Sequence, residues 1–228
     1  MVLTFIPSNN PFAFFNAIEV VSVSNTLVSD TAQAVPLPNT YSGLFEHAFE
    51  KIYKLNMGGP LISPDNDTLG RFWDPDTSLF ASKSLAQNFN IPANNIVYRK
   101  GLVTNETTPN IVYPTAEEMA TTNVTKPTFN ISWLFTVDPN YQYFIRMHFC
   151  DIVRKELNNL YFNVYYNNDN VMGGKFDIST VTQNNLAAAY YKIFVVLNTS
   201  TGSKNLVFKV GPAINMASLL PNAILNGL

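Results

Sequence analysis

The 228-residue sequence predicts an all-β sandwich with few short helices. Three observations carry that expectation. Charged residues make up only 13 % of the chain, about half of the ~25 % usual in globular domains, and Asn, Thr and Ser supply the polarity instead. Apolar and polar side chains alternate over short stretches, and Pro, Asn and Gly clusters separate those stretches. Helical periodicity, by contrast, is scarce.

In chain order, "MVLTFI" ends at Pro7-Ser8-Asn9-Asn10-Pro11, and "FAFFNAIEVVSV" follows at once, which reads as a hairpin. Short helices are expected at Ser42–Lys54 and Leu79–Gln87, where the 3.6-residue pattern is best. "FNISWLFTVD" (Phe129–Asp138) alternates before a turn at Asp138-Pro139-Asn140. "YQYFIRMHFCD" then places Tyr143, Ile145, Met147 and Phe149 on one strand face, with Arg146, His148 and Cys150 on the other. "LYFNVYYNN", "YYKIFVVLN" and "KNLVFKVGP" supply three further strands.

A net charge of −2 gives no basic surface for a nucleic acid or an acidic membrane. The single cysteine, Cys150, excludes an internal disulfide framework. No apolar run reaches the roughly 18 residues of a membrane span, and the N-terminus lacks the basic and apolar blocks of a signal peptide. This polypeptide is therefore expected to insert into no membrane by itself.

An internal echo bears on the domain count. "MVLTFIP", a loop and "FNAIEVV" near the start resemble "LVFKVGP", a loop and "PNAILNGL" about 205 residues later. A terminal hairpin repeated at that distance suggests tandem domains. Residues 1–24 would then be the last hairpin of one copy, 25–40 a linker, and 41–228 a second copy cut off as its final strand begins. Such a cut would leave an unpaired sheet edge.

The stretch "YKLNMGGPLISPDNDTLGRFWDPD" (Tyr53–Asp76) invites several chemistries. Gly58-Gly59-Pro60 fits neither phosphate-loop pattern, and Pro60 removes an amide that an anion would use, so a backbone bend is the expectation. Asp65 and Asp67 have calcium-loop spacing, but Gly70 comes late and no terminal Glu follows. Turn capping by those aspartates, a carboxylate partner for Arg71 and packing of Trp73 are expected instead.

His148 and Cys150 could ligate a metal, yet zinc needs three or four ligands and the other histidine is the distant His47. The same shortage disfavours a Ser/His/Asp or Cys/His triad. A glycosidase would need two carboxylates facing each other at a fixed gap, and the acidic residues here sit mostly in turns. No cofactor or metal is implied.

Eleven tyrosines and two tryptophans could offer flat platforms with polar tips to a sugar ring. Tyr98, Tyr113 and Tyr141 lie in or beside turns and are expected to be exposed, hence candidate ligand contacts. Five N-glycosylation sequons occur, at Asn66, Asn105, Asn123, Asn130 and Asn198.

Taken in order, "FNAIEVVSV", "YKLNMGGPLI", "TLGRFWDPD", "VYPTAEEM", "FNISWLFTVDPNYQYFIRMHFCDI" and "FNVYYNN" resemble the malectin-like extracellular region of plant receptor-like kinases, the FERONIA, THESEUS and ANXUR group. The resemblance covers nearly the whole chain. It implies tandem jelly-roll β-sandwiches at the extracellular face of the plasma membrane, joined in the full receptor to a membrane helix and a serine/threonine kinase. Neither a nucleotide-binding Gly loop nor an H-R-D motif occurs here. The resemblance further implies a non-catalytic recognition module for cell-wall carbohydrate or a secreted peptide, with a lipid-anchored co-receptor as partner. "FNISW" places Asn130 at a sequon position common in that group. The alternatives are a carbohydrate-active β-sandwich enzyme and a gene fragment without function.

Overall fold

The computed structural model describes residues 4–7, 12–18, 20–36, 39–120, 128–197, 204–213 and 221–228. Two sheets face each other across one core. The first runs β2 (Thr40–Ser42), β1 (Thr31–Val35), β12 (Tyr190–Val196) and β8 (Tyr143–Phe149). The second runs β10 (Asp169–Asn170), β9 (Tyr161–Tyr166), β13 (Asn205–Pro212) and β7 (Ile131–Thr136), with β11 (Phe176–Asp177) also on β9. A smaller sheet of β14 (Ile224–Leu225), β6 (Thr115–Met119) and β5 (Ala86–Asn90) closes one side, and β3 (Leu55–Asn56) pairs with β4 (Asp74–Pro75).

The alternation expected of β8 decides what enters the core. Ile145, Met147 and Phe149 turn inward and pack in one cluster with Trp133, Phe162, Phe208 and Val210 of the opposite sheet. Phe149, Phe162 and Phe176 meet with ring centroids 5.3 to 5.9 Å apart, contacts worth about 0.5–1.5 kcal/mol each beyond area burial. The other face of β8 and β12 is covered as well. Ala32 and Leu44 pack there on Ile193 and Val195, and Arg146 Nη2 donates to Leu27 O.

Several expectations need correction. Residues 25–40 are not merely a linker, because β1 lies within them and pairs in parallel with β12, burying Ala34 and Val35. The two expected helices are single 3-10 turns, Leu44–Glu46 and Lys83–Leu85, since neither segment can bury an amphipathic stripe. The α-helical turn that does form, α1 (Ile178–Val181), is capped by Asp177, whose carboxylate accepts from Ser179 N at 2.8 Å. Among the described residues of 1–24 no strand forms, and Phe12 and Phe14 are 81 % and 86 % exposed. A hairpin by itself is marginal in water, and none of the described residues of 1–24 joins a sheet.

The C-terminal residues do not leave a raw edge. Ile224 and Leu225 pair with Glu118 and Glu117 of β6. Gly227 bridges both Asn56 and His148, and Leu55 exchanges backbone hydrogen bonds with Leu228 at 2.7 and 3.1 Å. The last residues thus knit β3, β6 and β8 together.

Candidate ligand-recognition surface

The Tyr53–Asp76 stretch builds a buried scaffold rather than a reactive loop. A Cβ on Gly58 (φ +66°) would lie 2.2 Å from Ala116 O, and one on Gly59 would lie 2.1 Å from Asn56 Nδ2. The glycines let this turn press against β6, which is the bend expected. Asp67 accepts from Leu69 N at 2.7 Å, from Arg71 Nε at 2.9 Å and from Trp73 Nε1 at 2.7 Å. With its oxygens so engaged, Asp67 organises the loop closed by the Ile62–Trp73 bridge, and Asp65 sits exposed on the preceding 3-10 turn.

Trp73 leads inward to a ladder of rings. Its centroid is 5.7 Å from that of His148, which lies 5.5 Å from Tyr113, itself 6.0 Å from Tyr98. The Tyr113 hydroxyl and His148 Nδ1 are hydrogen-bonded at 2.8 Å. Burial, then the charges of Arg146, Lys54 and Arg71, hold the His148 pKa well below the usual imidazole range. Its neighbour Cys150 is also buried, and burial pushes the thiol up, away from thiolate chemistry. Lys54 lies 5.2 Å from the Trp73 ring centroid, and burial together with Arg71 and Arg146 lowers its pKa to about 8. His148 and Cys150 are therefore parts of the core.

Two acidic residues, Asp76 and Glu117, do border the same Gly58 turn, but they are buried, at 0 % and 1 % exposure. Asp76 accepts from Trp133 Nε1 at 2.8 Å and from Gly58 N at 3.2 Å. A glycosidase pair must flank a cleft that admits the scissile bond, and this pair lies beneath a packed turn.

The candidate tyrosines separate. Tyr113 is fully buried, so its expected exposure is corrected: the turn beside it folds over the core, and its hydroxyl is taken by His148. Tyr98 is half-buried, edge-on to Tyr113, and donates to Asn110 O at 3.2 Å. Tyr141 is 65 % exposed. Next to it, Gln142 Oε1 accepts from the Tyr41 hydroxyl at 3.4 Å, and that hydroxyl lies 3.0 Å from His47 Nε2.

Phe45 and Phe49 are exposed on the same segment as His47, and the Phe49 ring packs tilted against Phe144 with centroids 5.1 Å apart. Nothing in the sequence pattern points to Phe45 or Phe49, because 42–54 reads as a helix, nor to Tyr41 just before it. Beyond β1, a groove of about 420 Å³ is lined by Thr31, Gln33, Thr40, Met172 and Lys192. Of the sequons, Asn66 and Asn105 are exposed. Asn130 is half-buried, its Oδ1 so close to Gly211 that an added Cβ there would come within 1.7 Å. Asn123 and Asn198 lie outside the described residues.

Comparison with known proteins places this architecture. The family profile described as "Malectin-like domain" matches residues 3–228. The chain is 45 % identical to Receptor-like protein kinase THESEUS 1 of Arabidopsis thaliana over 228 residues, all of this chain and 26 % of that protein. With Receptor-like protein kinase HERK 1 of the same plant it shares 40 %, across all of this chain and 27 % of the relative. It thus spans about a quarter of these relatives, and their kinase domain lies in the remainder.

Among solved structures, the ANXUR2 extracellular domain from Arabidopsis thaliana superposes with a TM-score of 0.76 at 26 % identity, over 89 % of this chain and 53 % of that one. A chain from the structure of plant peptide RALF23 in complex with FER and LLG2 gives 0.67 at 27 %, over 77 % and 47 %. A family match across nearly every residue, together with the same strand architecture, leads to one conclusion: the chain belongs to the malectin-like family, in the form found in the extracellular regions of plant receptor-like kinases.

Proposed function

We propose that this chain recognises a secreted signalling peptide, together with a co-receptor protein, as part of an extracellular receptor region at the plasma membrane. The observation that carries the reading is the similarity to the FER chain of a complex that also holds a plant peptide, RALF23, and LLG2. On this reading the domain breaks no bond. Ligand binding energy shifts receptor geometry or association, which requires contacts that differ between free and bound states. The exposed Phe45, Phe49 and Tyr141, with the half-buried Tyr41, supply apolar area of the kind that anchors interfaces.

Cell-wall carbohydrate is the second reading. It is favoured by Tyr141 standing beside the hydrogen-bonded Gln142, Tyr41 and His47, an aromatic plate flanked by polar atoms. Of the other two candidate tyrosines, Tyr98 keeps part of its surface, whereas Tyr113 keeps none. Residues 1–24 belong, in this proposal, to a preceding malectin-like unit, in keeping with the chain's spanning about half of the matched ectodomain chains.

The test is calorimetry on the intact 228-residue chain with RALF23 peptide, with LLG2, and with both. Saturable peptide binding that tightens when LLG2 is present is the expected result. Absence of heat in all three titrations at about 100 μM, where even a weak specific complex would form, overturns the peptide reading. Parallel titration with neutral and acidic wall oligosaccharides decides the second.

A further inference from the structure

The ligand-recognition reading leaves unused two buried carboxyls, Asp76 and Glu117. Glu117 lies on β6 between Leu225 of β14 and Asn88 of β5. Among the described residues its Oε2 is buried without a hydrogen-bond partner, whereas the adjacent Glu118 is satisfied by Gln87 and Asn222, each at 2.7 Å. An ionised carboxylate in that position would lack what buried charges require, a counter-charge or donors.

The groups around it sharpen the conflict. Asp76 stands at the end of β4 with its own oxygens engaged by Trp133 Nε1 and Gly58 N. Lys83, on the exposed 3-10 turn, is the cation acting on both carboxyls. The partners from β5, β14 and β7 (Asn88, Leu225 and Trp133) bring no charge.

We propose that Asp76 and Glu117 form a pH latch, in which a neutral Glu117 keeps the Gly58 turn and the C-terminal strand seated on β6 and its ionisation loosens both. The connections run through single atoms. Gly58 donates to Asp76 directly, Met57 N donates to Asn226 O at 3.0 Å, and β14 pairs with β6 at Glu117 itself. When Glu117 gives its proton to bulk water, two like charges face each other under the turn. Rotating the carboxylate out to solvent relieves this and lifts residues 57–60 and 224–228.

Burial, reinforced by Asp76, pushes the Glu117 pKa from its ordinary 4.5 to about 8. The folded form thus holds a proton that the opened form releases across that window. Stability is fully retained below pH 4.5, falls as pH rises from there, and levels off above about 8. The opening equilibrium grows by up to roughly tenfold per pH unit within the window.

Hydrogen exchange on the intact chain, corrected for intrinsic rates, tests this between pH 5 and 9. Protection at Met57–Gly59 and Ile224–Leu228 is expected to fall by about 100-fold or more across that range in the wild type and to stay flat in Glu117→Gln. Equal slopes in both proteins overturn the latch. If Glu117→Gln does not fold, the carboxyl ¹³C titration of Glu117 in the wild type decides: a midpoint well above 6 sustains it, and one near 4.5 overturns it.

Discussion

At the scale of single residues, Asp67 does the most with the least. One carboxylate holds the backbone of Leu69, the guanidinium of Arg71 and the indole of Trp73, all within 2.9 Å. Arg71 is pinned in turn with its Cζ 5.7 Å from the Trp73 ring centroid. Removing the carboxylate strands a buried N–H and a partly buried cation together, and such losses exceed the net worth of any one bond. Asp67→Ala is expected to cost roughly 3–5 kcal/mol, read as a lower midpoint in urea with unchanged slope. A shift below 1 kcal/mol would contradict the role given to it. The sequence foretold the partners, a carboxylate for Arg71 and a packed Trp73, because the residue types left few alternatives. It could not foretell that one aspartate serves both.

At the scale of elements, the Gly58-Gly59 turn shows how a local sequence is fixed by a distant strand. Positive φ at Gly58 explains part of the requirement, but the larger part is the backbone of β6 lying where a Cβ would go. Gly58→Ala therefore combines backbone strain with a clash against an immovable carbonyl. It is expected to destabilise by about 2–4 kcal/mol, measured by thermal or denaturant unfolding. Gly70→Ala is the control, since it has positive φ but open space around it, and should cost about 1 kcal/mol. Strands such as β8 and β13 were legible because alternation and β-branched or aromatic content agree there. The 42–54 and 79–87 segments were misread because a weak helical period was not matched by an apolar face to bury.

At the scale of the whole molecule, the sandwich buries one core while the described residues of 1–24 hold Phe12, Phe14 and Ile18 out in solvent. Large apolar side chains exposed together mark an interface, which accords with the proposal that this stretch belongs to a preceding unit. Brief treatment with chymotrypsin should cut within residues 12–23 first and leave a resistant fragment starting near residue 25. Cleavage that begins within 41–228 instead would oppose that division. The C-terminal residues make the opposite case, since their buried hydrogen bonds to Leu55, Met57 and His148 predict resistance to carboxypeptidase digestion.

The sequence by itself determined the class of fold, the order of the main strands and the family. Side-chain alternation, turn residues and an ordered set of short motifs are local properties, and each is written in consecutive residues. Only the tertiary structure decided that Tyr113 is core while Tyr141 is surface, that residues 31–35 complete a sheet, and that Asp76 and Glu117 border one turn. Burial and pairing depend on which distant segments close over a residue, and no local pattern encodes that.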